Sequence, residues 1–438
     1  MKINRRKFLK GASATTALAG SHVLSMAASQ RAWGAAPDDR ILVLVNMSGG
    51  NDCLNTVIPM DDVGAPQRSV YEDVRPDLAV SVSDLGATEI GNDPVLGTRL
   101  ALHPQMTGLK SLYDEGKLSV INGTGYPDSS LSHFAAEVIW WAGNPNPTGT
   151  GWAGRHLDAA FPDGALRSMS FGSSVNGSLV GLSSDAIGVN SIQRFDLPDD
   201  NEYRDLEARF AMWQQIYGES RPPGILDNVT RSAGNLVDKS ALFETIEVDG
   251  WGSLNEDGES GLEGDFQQIA SILRHDEANI GNLANQTGLC FFHVEIGGFD
   301  THSEQGSVND DDRHARILRR VSNGMANFQR DLEGLGLADR VCTVSYSEFG
   351  RRIAQNDSGS TAGTDHGRAG MMFVQGDNSI LNGGVASQMP DLTTADNNGN
   401  LPFGTDFRTV YADVINSWLG GDATANLGAD FGTLGLFV

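Results

Sequence analysis

Three short segments of this chain combine carboxylates, imidazoles and glycines, each directly after a run of strand-forming residues. Thr364-Asp365-His366-Gly367 closes a stretch that opens with residues 341–346, continues through Ser347-Glu348-Phe349-Gly350-Arg351 and reads from there as a Gly/Ser/Asn-rich loop. Gly297-Gly298-Phe299-Asp300-Thr301-His302 follows the apolar residues 289–296, and Ser48-Gly49-Gly50-Asn51-Asp52 follows residues 41–47. Carboxylate oxygens mixed with imidazole nitrogens suit a divalent ion such as Zn2+, Mn2+ or Mg2+ rather than a soft metal. An Asp-x-His pair leaving a strand turns both side chains to one side, because the period there is two. Taken singly, an Asp after two glycines is commonly a turn former, and Glu348 has Arg351 and Arg352 as ordinary ion-pair partners. The repetition at three strand ends points to one polar site, metal-binding or catalytic.

A fourth segment, Asp128-Ser129-Ser130-Leu131-Ser132-His133-Phe134, runs into the helix-forming AAEVIWWAG. Ser132 is placed to cap that helix. Its hydroxyl would also lie in the positive field of a helix N-terminus, where anions bind. The residues that could do chemistry are therefore Asp52, Ser132, His133, Asp300, His302, Glu348, Asp365 and His366. His293, inside a strand, and His314, at a charged helix start, read as structural.

Positioning these residues requires a sheet whose strand ends converge. Residues 41–47 are apolar apart from Asn46, the mark of a parallel strand covered on both faces. Residues 118–123, 289–296, 341–346 and 371–375 read as further core strands. Residues 103–116, 202–217, 225–243, 266–281, 315–335 and 406–419 read as helices, the last capped by Thr405 or Asp406. Residues 60–100 are turn-rich, and residues 145–285, with weaker strand signals, read as a helical insertion or cap. Strands alternating with helices predict a three-layer α/β/α sandwich with a mostly parallel central sheet. Ligands of such sheets bind beyond the carboxyl ends of the strands.

Composition narrows the function. The formal charge is -25, yet residues 1–36 hold six basic residues and no acidic one. Beyond them 25 basic residues face 56 acidic ones, which argues against nucleic acid as a partner. No segment beyond residue 36 is apolar enough to span a bilayer. Three cysteines are too few for a disulfide framework. Cys290 and Cys342 read as buried thiols, and Cys53, beside Asp52, is poorly placed to become a thiolate. Asn4-Arg5-Arg6-Lys7-Phe8-Leu9-Lys10, followed by a weakly apolar stretch, reads as a twin-arginine (Tat) export signal over residues 1–36. A single domain over 37–438, delivered by the Tat translocon to the periplasm or outside, is the expectation.

The segments GGNDCLN, LHPQM, GYPDSSLSHF, GGFDTH, SEFGR and GTDHG, in this order, with TDFRTVYADVINSWLG near the end, resemble the domain-of-unknown-function 1501 family. That family resembles a branch of the alkaline phosphatase and sulfatase superfamily. The resemblance implies an alkaline-phosphatase-like α/β/α fold with one or two divalent ions (Zn, Mn, Mg or Ca). It also implies a helix-start nucleophile that attacks phosphorus or sulfur. By position, Asp52 resembles the first-strand ligand and Ser132 the nucleophile. Asp300 and His302 resemble the pair of one metal, Glu348 an acid of the second, and His366 the late histidine; Asp365 could complete an altered pair. His133 or His366 would handle protons in such a mechanism. Phe349 stands where the superfamily has a histidine, and no Cys-x-Pro-Ser-Arg segment exists, so a formylglycine sulfatase is not implied. The implied function is an exported metal-dependent hydrolase of small phosphate or sulfate esters, or of phosphorylated or sulfated polymers. The alternative is a non-catalytic exported binding or envelope protein that keeps the fold.

Overall fold

The computed structural model describes residues 39–144, 147, 149–162, 165–194, 234, 239–240, 242–248 and 261–438. The export segment and the helix expected over 202–217 lie outside the described residues, as does most of the helix expected over 225–243.

Strand β1 (Ile41–Met47) is buried at every position, Asn46 included, in keeping with its otherwise apolar sequence. The strands β2 (Val57–Pro59), β3 (Glu89–Asn92) and β4 (Arg99–Leu102) form a small separate sheet within the turn-rich residues 60–100 and their flanks. Then come β5 (Leu118–Gly125), β6 (Leu166–Phe171), β7 (Asp185–Val189), β8 (Phe291–Ile296) and β9 (Val341–Tyr346). β10 (Gly350–Asn356) and β11 (Gly363–Gly367) form a hairpin, followed by β12 (Gly370–Gln375), β13 (Gly384–Val385) and β14 (Thr405–Asp406).

The main sheet has nine strands in the order β13-β5-β12-β9-β1-β8-β6-β7, with β14 also on β5. β12 runs antiparallel to β5 and β9; every other pairing in this sheet is parallel. β1 sits centrally between β8 and β9. The helix Arg313–Leu335 packs on both Thr107–Asp114 and Leu262–Ala278, and Gln375 of the sheet donates to its Met325 carbonyl. On the other face Trp140, from the helix His133–Ala142, stacks on Tyr346 of β9 and on Phe407 at the start of the helix Phe407–Asp413. The architecture is thus the three-layer α/β/α sandwich that the alternation of elements predicts.

Two details differ from the sequence reading. The segment expected as a Gly/Ser/Asn-rich loop after Gly350 is the hairpin β10–β11, with Arg351 opposite His366. Backbone pairing there outweighs the low strand propensity of glycine and asparagine. Residues 166–171 and 185–189, within the stretch read as an insertion, extend the main sheet beyond β8. The Phe407–Asp413 helix is capped by the Asp406 carboxylate, which accepts from the Arg408 backbone.

Candidate metal centre

The carboxyl ends of β1, β8 and β9 are drawn together by close backbone contact. Gly49 has φ +117°, and a Cβ there would lie 2.5 Å from the Asp300 nitrogen. No other residue type fits. Gly50, at φ +75°, lies equally close to the Phe349 ring. Between these loops lies the fully buried Arg351. Its Nε donates to the Gly50 carbonyl (2.6 Å), Nη1 to Thr364 (3.0 Å) and Nη2 to Phe299 (3.0 Å) and Gly49. Nη2 also donates to Asp300 Oδ1 at 2.8 Å. A buried guanidinium is tolerable only when its donors are satisfied; here that need fixes three loops around one carboxylate.

His133, Asp300 and His366 each offer a ligand atom, all within 4.8 Å of one another. The protons on the two rings can be assigned from what surrounds them. His133 Nδ1 lies 2.6 Å from Glu348 Oε1, and Glu348 is a buried carboxylate that also accepts from the Gly49 nitrogen (2.9 Å) and Ser347 Oγ (3.1 Å). His366 Nδ1 lies 2.8 Å from the Leu131 carbonyl oxygen, which can only accept. Both rings therefore donate from Nδ1, which leaves the Nε2 lone pairs for the cluster. His133 Nε2 is 3.7 Å from Asp300 Oδ2, and His366 Nε2 is 3.3 Å from Asp300 Oδ1. An imidazole held at its far nitrogen by a carboxylate or carbonyl is the usual support of a metal ligand. Two such rings and a carboxylate fit a divalent ion of the zinc type.

His302 adds a third ring, its Nε2 2.9 Å from His366 Nε2 and 3.0 Å from Asp300 Oδ1. Burial lowers the His302 pKa, helped by Arg351 and His366 and opposed by Asp300 and Asp365. Burial alone would raise the Asp300 carboxyl, but the Arg351 contact and the nearby histidines hold it below its ordinary value. Asp365 lies on the rim, paired with Arg352 at 2.8 Å and 3.5 Å from His302 Nδ1. The Phe349 ring packs against His133 and His366, with centroids 4.8 and 4.6 Å away.

Asp52 sits elsewhere in this arrangement. It is fully buried, and its Oδ2 accepts from Arg75 Nη1 and from Gln305 Nε2, each at 2.6 Å. Ser132 is exposed and holds the N-cap position, but its side chain makes no capping bond. It stands between Leu131, whose carbonyl orients His366, and His133 itself. Cys53 is buried, and burial and then Asp52 push its thiol up to about 12. Burial pushes His293 and His314 down to about 3, as fits core histidines. The sequence reading missed Arg75, Gln305 and the clamping role of Arg351. Only Arg351 carried a signal, its place in SEFGR.

Fold and site together define an α/β/α protein with an Asp/His centre at the strand ends of a mostly parallel sheet. Residues 280–419 match the model of the family described as "Protein of unknown function (DUF1501)". GGFDTH, SEFGR and GTDHG fall inside that span, as does TDFRTVYADVINSWLG except for its final Gly420. No curated protein matches the chain. Among solved structures, the lipoteichoic acid synthase LtaP from Listeria monocytogenes is 9% identical, with a TM-score of 0.32 over 77% of this chain and 65% of that one. A protein in the alkaline phosphatase superfamily from Vibrio parahaemolyticus is 9% identical, with a TM-score of 0.31 over 77% and 60%. The PsFucS1 sulfatase from Pseudoalteromonas sp. is 11% identical, with a TM-score of 0.36 over 90% and 70%. The chain thus spans just under two thirds of the length of the first two. Among the described residues, no helix is long and apolar enough to cross a membrane.

Proposed function

We propose that the protein is an exported metal-dependent hydrolase of phosphate or sulfate esters. The observation that carries this reading is the convergence of His133, Asp300 and His366, with both rings donating from Nδ1 to fixed acceptors. These three would hold a divalent ion, with His302 and Asp365 as adjoining donors. Such an ion supplies Lewis-acid charge for an anionic ester. Arg351 keeps Asp300 in place, Glu348 holds the proton at His133 Nδ1, and the Leu131 carbonyl holds the one at His366 Nδ1. Ser132, which precedes His133 at the start of the His133–Ala142 helix, would supply the attacking hydroxyl.

The test is elemental analysis of protein matured in its own host, with a panel of phosphate and sulfate esters assayed before and after chelation. We expect a bound divalent ion, and turnover that is lost with the chelator and restored by Zn2+ or Mn2+. Asp300→Ala and His302→Ala should each lower bound metal while leaving the circular dichroism unchanged. Full metal occupancy in both variants would sink the assignment. A metal-loaded protein inactive on every ester would favour the binding or envelope role.

A further inference from the structure

A second group of carboxylates lies under the His133–Ala142 helix and takes no part in the centre described above. Asn46 of β1 is in register with Glu295 of β8 and with Tyr346 of β9. The three side chains therefore form one row on the same face of the sheet. Trp140 stacks on Tyr346 with ring centroids 5.7 Å apart, so the helix lies over that row. Glu137 is three residues before Trp140 and four after His133, on the helix face that these two residues turn toward the sheet.

Glu137 is half-buried, and among the described residues no hydrogen bond relieves it; burial, then the facing charges of Glu348 and Glu295, push its carboxyl up to about 7. Glu295 is likewise raised, by partial burial of its carboxyl and by Glu348, and among the described residues its hydrogen bond comes from Asn46 Nδ2 at 3.3 Å. Glu348 has its own acceptors occupied by Gly49, Ser347 and His133, so it contributes charge rather than a free oxygen. Asn46 adds to this: it is fully buried, its amide nitrogen reaches the Glu295 carboxylate, and its Oδ1 has no partner among the described residues. A buried acceptor left open costs free energy, and this one belongs to the side chain that touches Glu295.

We propose that Glu137, Glu295 and Asn46 Oδ1 form a second cation site for a hard divalent ion such as Mg2+, Mn2+ or Ca2+. Three oxygen donors from a helix and two adjacent strands, with water completing the shell, are what such ions take. The exposed Glu295 opens the site to solvent. This site stands apart from the nitrogen-rich centre, so either can fail without the other.

The full chain, stripped by chelation and loaded with Zn2+, is titrated with Mn2+, and free Mn2+ is followed by electron paramagnetic resonance. The expected result is one further Mn2+ bound beside the Zn2+. Glu137→Gln and Glu295→Gln, which keep size and polarity, should each weaken that Mn2+ roughly tenfold or more with Zn2+ content unchanged. His366→Ala should lose Zn2+ and keep the Mn2+. Absence of Mn2+ uptake by the zinc-loaded protein, or unaltered uptake by the double variant Glu137→Gln/Glu295→Gln, overturns the proposal. Loss of Zn2+ binding alone would count against the first centre and leave this one standing.

Discussion

Replacing Asp52 separates a metal ligand from half of a buried ion pair. Asp52 and Arg75 are both fully buried and meet at 2.6 Å. Arg75 also donates to Asn55 Oδ1 and to the carbonyls of Arg352 and Ile353. Removing one partner of such a pair leaves an uncompensated buried charge, at a cost of roughly 3–5 kcal/mol. For a protein of this size that corresponds to a fall in Tm of roughly 3–6 °C. We expect both Asp52→Asn and Arg75→Met to show a loss of this order. The double variant Asp52→Leu/Arg75→Met should fall by less than the sum of the two single losses, because it leaves no charge unpaired. Calorimetry gives the stability, and elemental analysis of the same samples should show metal content unchanged. The carboxyl is held below its ordinary value, since Arg75 and Gln305 outweigh the opposing effect of burial. Its folded pKa is thus below its unfolded one of about 3.9. The stability it contributes is complete above that value and is lost as pH falls through the folded pKa. The gap between wild type and Asp52→Asn should therefore close in strong acid. Loss of metal from Asp52→Asn with Tm unchanged would refute this account and restore Asp52 as a ligand.

Three further outcomes are expected. Glu348→Gln removes the charge that fixes the His133 Nδ1 proton, so metal affinity should drop roughly 10–100-fold with the fold intact; competition against a chelator measures it, and unaltered affinity would contradict the orienting role. Ser132→Ala should change stability by less than about 0.5 kcal/mol, because the side chain makes no capping bond, yet abolish turnover if the hydroxyl attacks. Ser132→Asp should fold and be inactive, and an active Ser132→Asp enzyme would move the attack to water. Finally, Arg5→Lys with Arg6→Lys should retain the precursor in the cytoplasm, and unchanged export through a Tat-only route would count against the signal reading.

The sequence by itself determined the layers of the fold and the identity of most of the polar residues in the centre. Short apolar runs such as Ile41–Val45 read as strands buried on both faces, and the helix Arg313–Leu335 is marked by its own periodicity. Asp300, His302 and His366 stood out because glycine-flanked acids and imidazoles after strands are legible as a local pattern. Which of these groups converge was decided by tertiary structure alone. Asp52 looked equivalent to Asp300, but a guanidinium 23 residues further on claims it, and nothing local announces a partner at that distance. His133 looked like a proton carrier and Glu348 like a ligand. The 2.6 Å contact between them, across 215 residues, makes one a candidate donor to the ion and the other its support. Chemical type is a property of the residue, whereas the direction of a lone pair depends on which distant group holds the other end of the ring.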